Sequence, residues 1–137
     1  GFPTETDEEF EELAEFAKEM KFERLGCFPY STEEDTPAAE LEQVDKDVRG
    51  YRADAIMRSQ ELVMEDYCRS KIGSTVKVLV EGFDRYAECF FGRSYADAPE
   101  VDPNVFFTSE EKVTIGEFVE VEITDFLECD LIGEVVK

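Results

Sequence analysis

Val119-Glu120-Val121-Glu122-Ile123 alternates apolar and acidic residues without a break. Successive side chains of an extended strand point to opposite faces, so this spacing predicts a strand with its aliphatic side buried and its glutamates in water. The same period of two recurs upstream, in Val76, Val78 and Val80 and again in Ala87, Cys89 and Phe91. With Asn104–Thr108 and a last stretch, Leu131–Val136, the segment from Lys71 onward holds about five short strands. Gly82-Phe83-Asp84-Arg85 and Ile115-Gly116 carry the turn residues between them. Strands this short and this many predict a small, closed or nearly closed, antiparallel OB-like β-barrel.

Ahead of Lys71 the period becomes helical. Thr6 and Glu9 make a capping box, and Phe10, Leu13, Phe16, Ala17 and Met20 then share one face of a helix over residues 7–20. A short apolar strand is expected at Phe22–Phe28, a loop over Pro29–Glu42, and a second helix over Asp45–Ser70. Val44, Val48, Tyr51, Ala55 and Leu62 form the apolar stripe of that helix, and Gly50 is a weak point in it. The boundary falls near Ser70–Gly73, with Gly73 a candidate C-cap, giving a first domain of residues 1–70 and a second of 71–137. One strand between two helices cannot cover both of its faces or satisfy its own edges. The first domain therefore reads as part of a larger α/β domain, cut from preceding strands, and the chain as a whole as α+β. An apolar surface left uncovered on residues 1–70 predicts self-association.

Composition narrows the function classes. The chain has 137 residues, 42% of them hydrophobic, with 12 Phe, enough to pack a core. Against 14 Lys and Arg stand 35 Asp and Glu, a net charge of −21. Residues 1–70 carry net −12 and residues 71–137 net −9. A surface of that sign repels phosphate and lacks the basic cluster that nucleic-acid affinity requires, so a basic partner is expected instead. No apolar run reaches the length of a membrane span, which leaves a cytoplasmic location as the expectation. Cys27, Cys68, Cys89 and Cys129 are far apart and there is no histidine. They read as small buried hydrophobes, with no metal site expected.

The stretch Gly92-Arg93-Ser94-Tyr95-Ala96-Asp97-Ala98-Pro99-Glu100-Val101-Asp102 is too long and irregular to follow from strand periodicity. It resembles the loop in the C-terminal barrel, the TRAM domain, of RimO-type radical-SAM methylthiotransferases. Gly1-Phe2-Pro3-Thr4-Glu5-Thr6 and Leu25-Gly26-Cys27-Phe28-Pro29-Tyr30-Ser31 are similar to the last third of that family's radical-SAM domain. Together these blocks span almost the whole chain in the family's order. The resemblance implies a radical-SAM partial barrel ending near residue 70, followed by a TRAM barrel. It implies a parent enzyme that uses S-adenosylmethionine and two 4Fe–4S clusters to methylthiolate an aspartate β-carbon of ribosomal protein S-twelve.

From the resemblance, Glu5, Thr6 and Tyr30 are candidates for lining the cofactor pocket. The alternative is that Thr6 is only an N-cap and Glu5 only a charge favourable to the helix dipole. Arg93, Asp97, Glu100 and Asp102 are candidates for holding a basic substrate protein, against the plainer role of shaping a turn. Glycine is usual in the family where Thr4 and Asp35 stand here; a threonine at positive φ would be strained. The cysteine spacings that hold iron–sulfur clusters do not occur in these residues, so no catalytic residue is expected and the chain alone should be inactive. A MiaB-like enzyme acting on tRNA and a non-enzymatic binding module stay open as alternatives.

Overall fold

The alternation that begins at Val119 extends through a strand of ten residues, and four more strands join it in a ring. In this computed structural model, which describes residues 1–136, β1 (Thr75–Asp84), β2 (Cys89–Arg93), β3 (Val105–Thr108), β4 (Phe118–Leu127) and β5 (Asp130–Val135) close a barrel in the order β1-β2-β3-β5-β4. Four of the five pairings are antiparallel, and β3 lies parallel to β5, with Val105 opposite Leu131 and Thr108 opposite Glu134. An entirely antiparallel barrel is thus corrected. Directions that alternate around a closed ring must return in phase, which an odd number of strands cannot do. Five strands therefore force at least one parallel neighbour.

The inner faces follow the sequence pattern. Val76, Val78 and Val80 from β1, Val105 and Phe107 from β3, Val121 and Ile123 from β4 and Leu131 from β5 form one buried cluster. Glu120 and Glu122 are exposed. Removing each such aliphatic side chain from water contributes about 1.5–3 kcal/mol. β2 adds little side-chain volume of its own: Phe90 is partly buried and stacks on Phe107 at 5.7 Å, and Gly92 supplies no side chain.

Two glycines set how closely the strands approach. A Cβ on Gly92 would stand 2.1 Å from the Leu79 carbonyl oxygen, and one on Gly133 would stand 2.2 Å from that of Glu122. In both cases the neighbouring strand also presses an inward valine, Val78 or Val121, into the space. Glycine is needed there because another backbone passes where a side chain would go. Register shifts between Val80 and Gly82 on β1 and between Ile123 and Asp125 on β4 add the local bending that closure requires. Gly82 therefore lies within β1, and the turn expected from Gly82 begins later, at Arg85, held by Asp84 accepting from the backbone N–H of Tyr86 and Ala87.

The chain forms two compact units, Gly1–Val63 and Met64–Lys137. α1 spans Asp7–Met20 with the expected capping box, Thr6 and Glu9 each accepting the other's backbone N–H. α2 spans Lys46–Lys71, and the left-handed Gly73 follows it. A single turn of 3₁₀ helix, Pro37–Glu40, interrupts the expected loop. The strand expected at Phe22–Phe28 does not form. No strand of the first unit is available to pair with it, and the Phe22 carbonyl instead accepts from Gln60.

The buried side of α2 is also not the apolar stripe. Tyr51 and Leu62 are exposed, whereas Arg52, Ala53, Ile56 and Gln60 are buried. On α1 no residue is buried, and Leu13, Phe16 and Met20 stand exposed on one face. Among the cysteines only Cys68 is buried, packed into the barrel's hydrophobic cluster; Cys27, Cys89 and Cys129 are partly exposed.

Replacing Gly92 or Gly133 by alanine is expected to destabilise the barrel by about 2–3 kcal/mol each, because the opposing atom is rigid backbone rather than a movable side chain. Urea unfolding followed by circular dichroism measures it, and a shift under 0.5 kcal/mol would contradict the strand geometry.

Candidate functional site

At the N-terminus of α1 the sequence places four carboxylates, Glu5, Asp7, Glu8 and Glu9, within five residues, and a buried arginine on α2 answers two of them. Arg52 donates through Nη1 to the Glu5 carboxylate at 2.7 Å and through Nη2 to Asp7 at 2.7 Å. Nη1 also reaches the Glu5 carbonyl at 3.2 Å, and the guanidinium lies 5.5 Å from the Phe10 ring centre. A buried guanidinium is tolerated only where its donors are matched and its charge is paired. Here both conditions are met by one short segment of chain.

Burial pushes the Glu5 carboxyl up, but hydrogen bonds and positive charge from the Gly1 amine and Arg52 outweigh it and leave the group below the ordinary carboxylate range. The bond to Asp7 most strongly holds Arg52 protonated, with Glu5 adding to it against the cost of burial. Glu5 is thus engaged in positioning Arg52. Thr6 is engaged in capping α1, its Oγ1 accepting from the Glu9 N–H at 3.2 Å.

Tyr30 lies nearby in the same unit. Its ring meets Phe2 edge-on at 5.4 Å, and its carbonyl accepts from Arg49 Nη1 at 2.9 Å. A cleft of about 440 Å³ opens beside it, lined by Pro29, Tyr30, Ser31, Thr32, Lys46 and Arg49. The Arg49 Nε is buried without a hydrogen-bond partner. In a chain of net −21 this cleft gathers two cations and three hydroxyls, a donor set suited to an anionic group. Thr4 and Asp35 are held in left-handed backbone, with φ 72° and φ 62°. These are the two positions where the family resemblance led us to expect glycine, so the backbone keeps a conformation that a β-branched threonine adopts only with strain.

The loop of residues 92–102 is organised by its own acids. Asp97 is only 8% exposed, and its Oδ2 accepts from both the Ser94 N–H at 2.9 Å and the Ser94 hydroxyl at 2.7 Å. Asp102 accepts from the Ala98 N–H at 2.7 Å, closing the second half of the loop. Arg93 pairs with Glu81 on β1. Glu100 is exposed with φ 60°, and Tyr95 and Val101 project into solvent beside it. Of the three acids and one base expected to contact a substrate, Asp97 and Asp102 close turns of the loop, Arg93 pairs with Glu81, and Glu100 is presented.

Arg52 and Ser94 were not legible as site residues from the sequence. The only signal for Arg52 is its spacing with Ile56 and Gln60, i, i+4 and i+8 on one helix face, which reads as polar until the carboxylates are placed against it. Ser94 is three residues before Asp97, the spacing of a side chain that closes a tight turn. Among the described residues no group of three or more Cys, Asp or Glu is arranged to hold a metal ion, and no helix is long and apolar enough to cross a membrane.

The family model described as the TRAM domain matches residues 72–136. The ribosomal protein uS12 methylthiotransferase RimO of Clostridium novyi is 47% identical over 137 residues, covering 98% of this chain and 30% of that protein. The proteins of the same description from Caldicellulosiruptor saccharolyticus and Bdellovibrio bacteriovorus are 46% and 42% identical, each over 99% of this chain and over 31% and 30% of their own lengths. The chain spans about 30% of the length of the curated relatives it matches.

Thr4→Gly is expected to stabilise the first unit by about 1 kcal/mol, the left-handed penalty relieved less the entropy that glycine adds to the unfolded chain; an unchanged or lowered urea midpoint contradicts it. Because Glu5 titrates below its unfolded value, its contribution is present above the ordinary glutamate pKa of about 4.3 and is lost as pH falls through the lowered folded value. The stability gap between the parent chain and Glu5→Gln should therefore be widest near pH 7 and close in acid. Unfolding curves from pH 7 down to pH 3 read it, and a gap that is constant with pH would show that Glu5 is not ion-paired.

Proposed function

With the chain belonging by sequence among the RimO-type methylthiotransferases and ending in their TRAM domain, we propose that it is the C-terminal part of an enzyme that methylthiolates an aspartate β-carbon of ribosomal protein uS12. In this reading residues 1–70 are the end of the radical-SAM domain, a piece of its α/β partial barrel, and residues 71–137 are a TRAM barrel that docks the basic substrate protein. The name of the relatives supports the substrate. The observation that carries the docking role is electrostatic: the segment that makes the barrel has net −9, with Glu120, Glu122 and Glu134 exposed on its outside. Such a surface attracts a cationic polypeptide and repels a phosphate backbone. Both the methylthiolation and the docking belong to a cytoplasmic setting, where ribosomal proteins are found.

S-adenosylmethionine and two 4Fe–4S clusters would supply the radical and sulfur-transfer chemistry, the clusters being held by segments other than this one. The donor set beside Tyr30 fits the cofactor's amino-acid end: Lys46 and Arg49 would meet its carboxylate, and the Tyr30 ring would form one wall. Glu5 and Thr6 act behind that wall. Glu5 fixes Arg52, and Thr6 fixes the first turn of α1. On the barrel, Arg93, Asp97 and Asp102 hold the loop in shape, and Glu100 is the acid offered to a lysine or arginine of the substrate.

Binding of the 137-residue chain to purified uS12 and to tRNA across a salt series tests the docking role. The expectation is binding to uS12 that weakens as salt rises, with no comparable affinity for tRNA. Tight tRNA binding that falls steeply with salt would overturn it in favour of a MiaB-like enzyme acting on tRNA. Binding to neither would remove the docking role altogether.

A further inference from the structure

The barrel carries an apolar groove that none of the loop residues lines. It lies between the ends of its two long hairpins, with a volume of about 410 Å³. Phe106, Phe107 and Ile132 form its floor, and Leu127, 68% exposed, stands at one side. Asp84, from the end of β1, and Asp130, from the start of β5, lie at its edges. The turn after Asp84 ends on Glu88, with φ 53°, and the turn before Asp130 begins on Glu128, with φ 55°; both glutamates are left-handed and exposed. Neither Asp84 nor Asp130 is paired with a lysine or arginine among the described residues.

We propose that this groove takes one aliphatic or aromatic side chain of a basic polypeptide, whose neighbouring lysines or arginines meet Asp84 and Asp130. The inference rests on the reading of the barrel as a dock for a basic protein and gives that dock an address. The chemistry of the groove selects its occupant. An apolar floor asks for an apolar side chain, and a purely charged ligand would leave it wet. The acidic edges refuse phosphate and also refuse a second copy of this chain, which brings acid against acid. The charge at the edge reaches the interior: the Cys89 thiol, which also lines the groove, is pushed up first by burial and then by Asp84. A cation entering beside Cys89 would be stabilised by the same field.

The two carboxylates can be neutralised without disturbing the fold. Asp84 accepts from the N–H groups of Tyr86 and Ala87, and Asp130 accepts from that of Asn104. Asparagine keeps an acceptor oxygen at each place. The test measures binding of two peptides, Lys-Lys-Leu-Lys-Lys and Lys-Lys-Gly-Lys-Lys, to the 137-residue chain at low salt. The leucine peptide is expected to bind about tenfold more tightly, the effect of burying one leucine incompletely. The double substitution Asp84→Asn, Asp130→Asn should weaken both peptides and flatten their salt dependence. Leu127→Ser should narrow the gap between the peptides and leave the salt dependence intact. Asp54→Asn with Glu61→Gln, which removes the same charge from exposed positions on α2, should change either peptide's affinity by less than twofold.

Should a substituted chain fail to give the parent's circular dichroism spectrum, amide shifts of the unsubstituted chain titrated with the leucine peptide decide instead. Shifts centred on Phe106, Ile132 and Leu127 support the groove, and shifts centred elsewhere overturn it. Equal affinity for the two peptides, or an effect carried by the Asp54 and Glu61 pair, also overturns it. If uS12 still binds in those cases, the barrel docks a basic protein by another face; if uS12 does not bind either, the docking reading itself has failed.

Discussion

Closing five strands into a ring imposes two demands from which most of the barrel follows. The ring must contain a parallel pair, because alternating directions cannot meet in phase after an odd number of strands, and here that pair is β3 with β5. The strands must also coil tightly enough to meet. Gly92 and Gly133 allow it by letting the Leu79 and Glu122 carbonyls approach where side chains would otherwise stand. The register shifts on β1 and β4 supply the bend. Once the ring closes, the inward valines, Phe107, Ile123 and Leu131 are sealed from water, and every outward position is free to be acidic without cost to the core.

That freedom is what gives the barrel its chemistry. Glutamates on β4 need no partner because water solvates them, and their sum presents a negative exterior to anything that approaches. Negative charge alone is an unselective attraction. Selectivity needs a place where attraction is combined with an apolar fit, and the groove over Phe106, Phe107 and Ile132, edged by Asp84 and Asp130, is where the barrel combines them.

The first unit meets the opposite problem. It buries a full positive charge, Arg52, and does so with the acids that also open α1. The arrangement couples the entry into α1 to the side of α2, so that Glu5, a candidate for the cofactor pocket by family resemblance, also holds a cation. The loop of the barrel behaves alike: Asp97 and Asp102 close hydrogen-bonded turns and leave Glu100 to face outward. Acidic residues in this chain thus divide into those that build the site and those that face a partner.

Local pattern alone was enough for several features. The period of two marked three of the strands and short apolar stretches the other two, all to within a few residues, the Thr6 and Glu9 pair set the start of α1, and the long irregular stretch from Gly92 to Asp102, with the segments around Glu5 and Tyr30, pointed to the family. These are statements about neighbours in the chain, and neighbours suffice for them. Tertiary structure alone decided the rest. The apolar stripe of α2 around Tyr51 and Leu62 gave way to the face bearing Arg52, because a paired guanidinium with matched donors can be buried and no hydropathy pattern encodes its distant carboxylates. Phe22–Phe28 has strand composition but no strand to bond to, and a ladder needs two. The parallel β3 and β5 pair, and the groove between hairpin ends that lie far apart along the chain, exist only because closure brings those segments together.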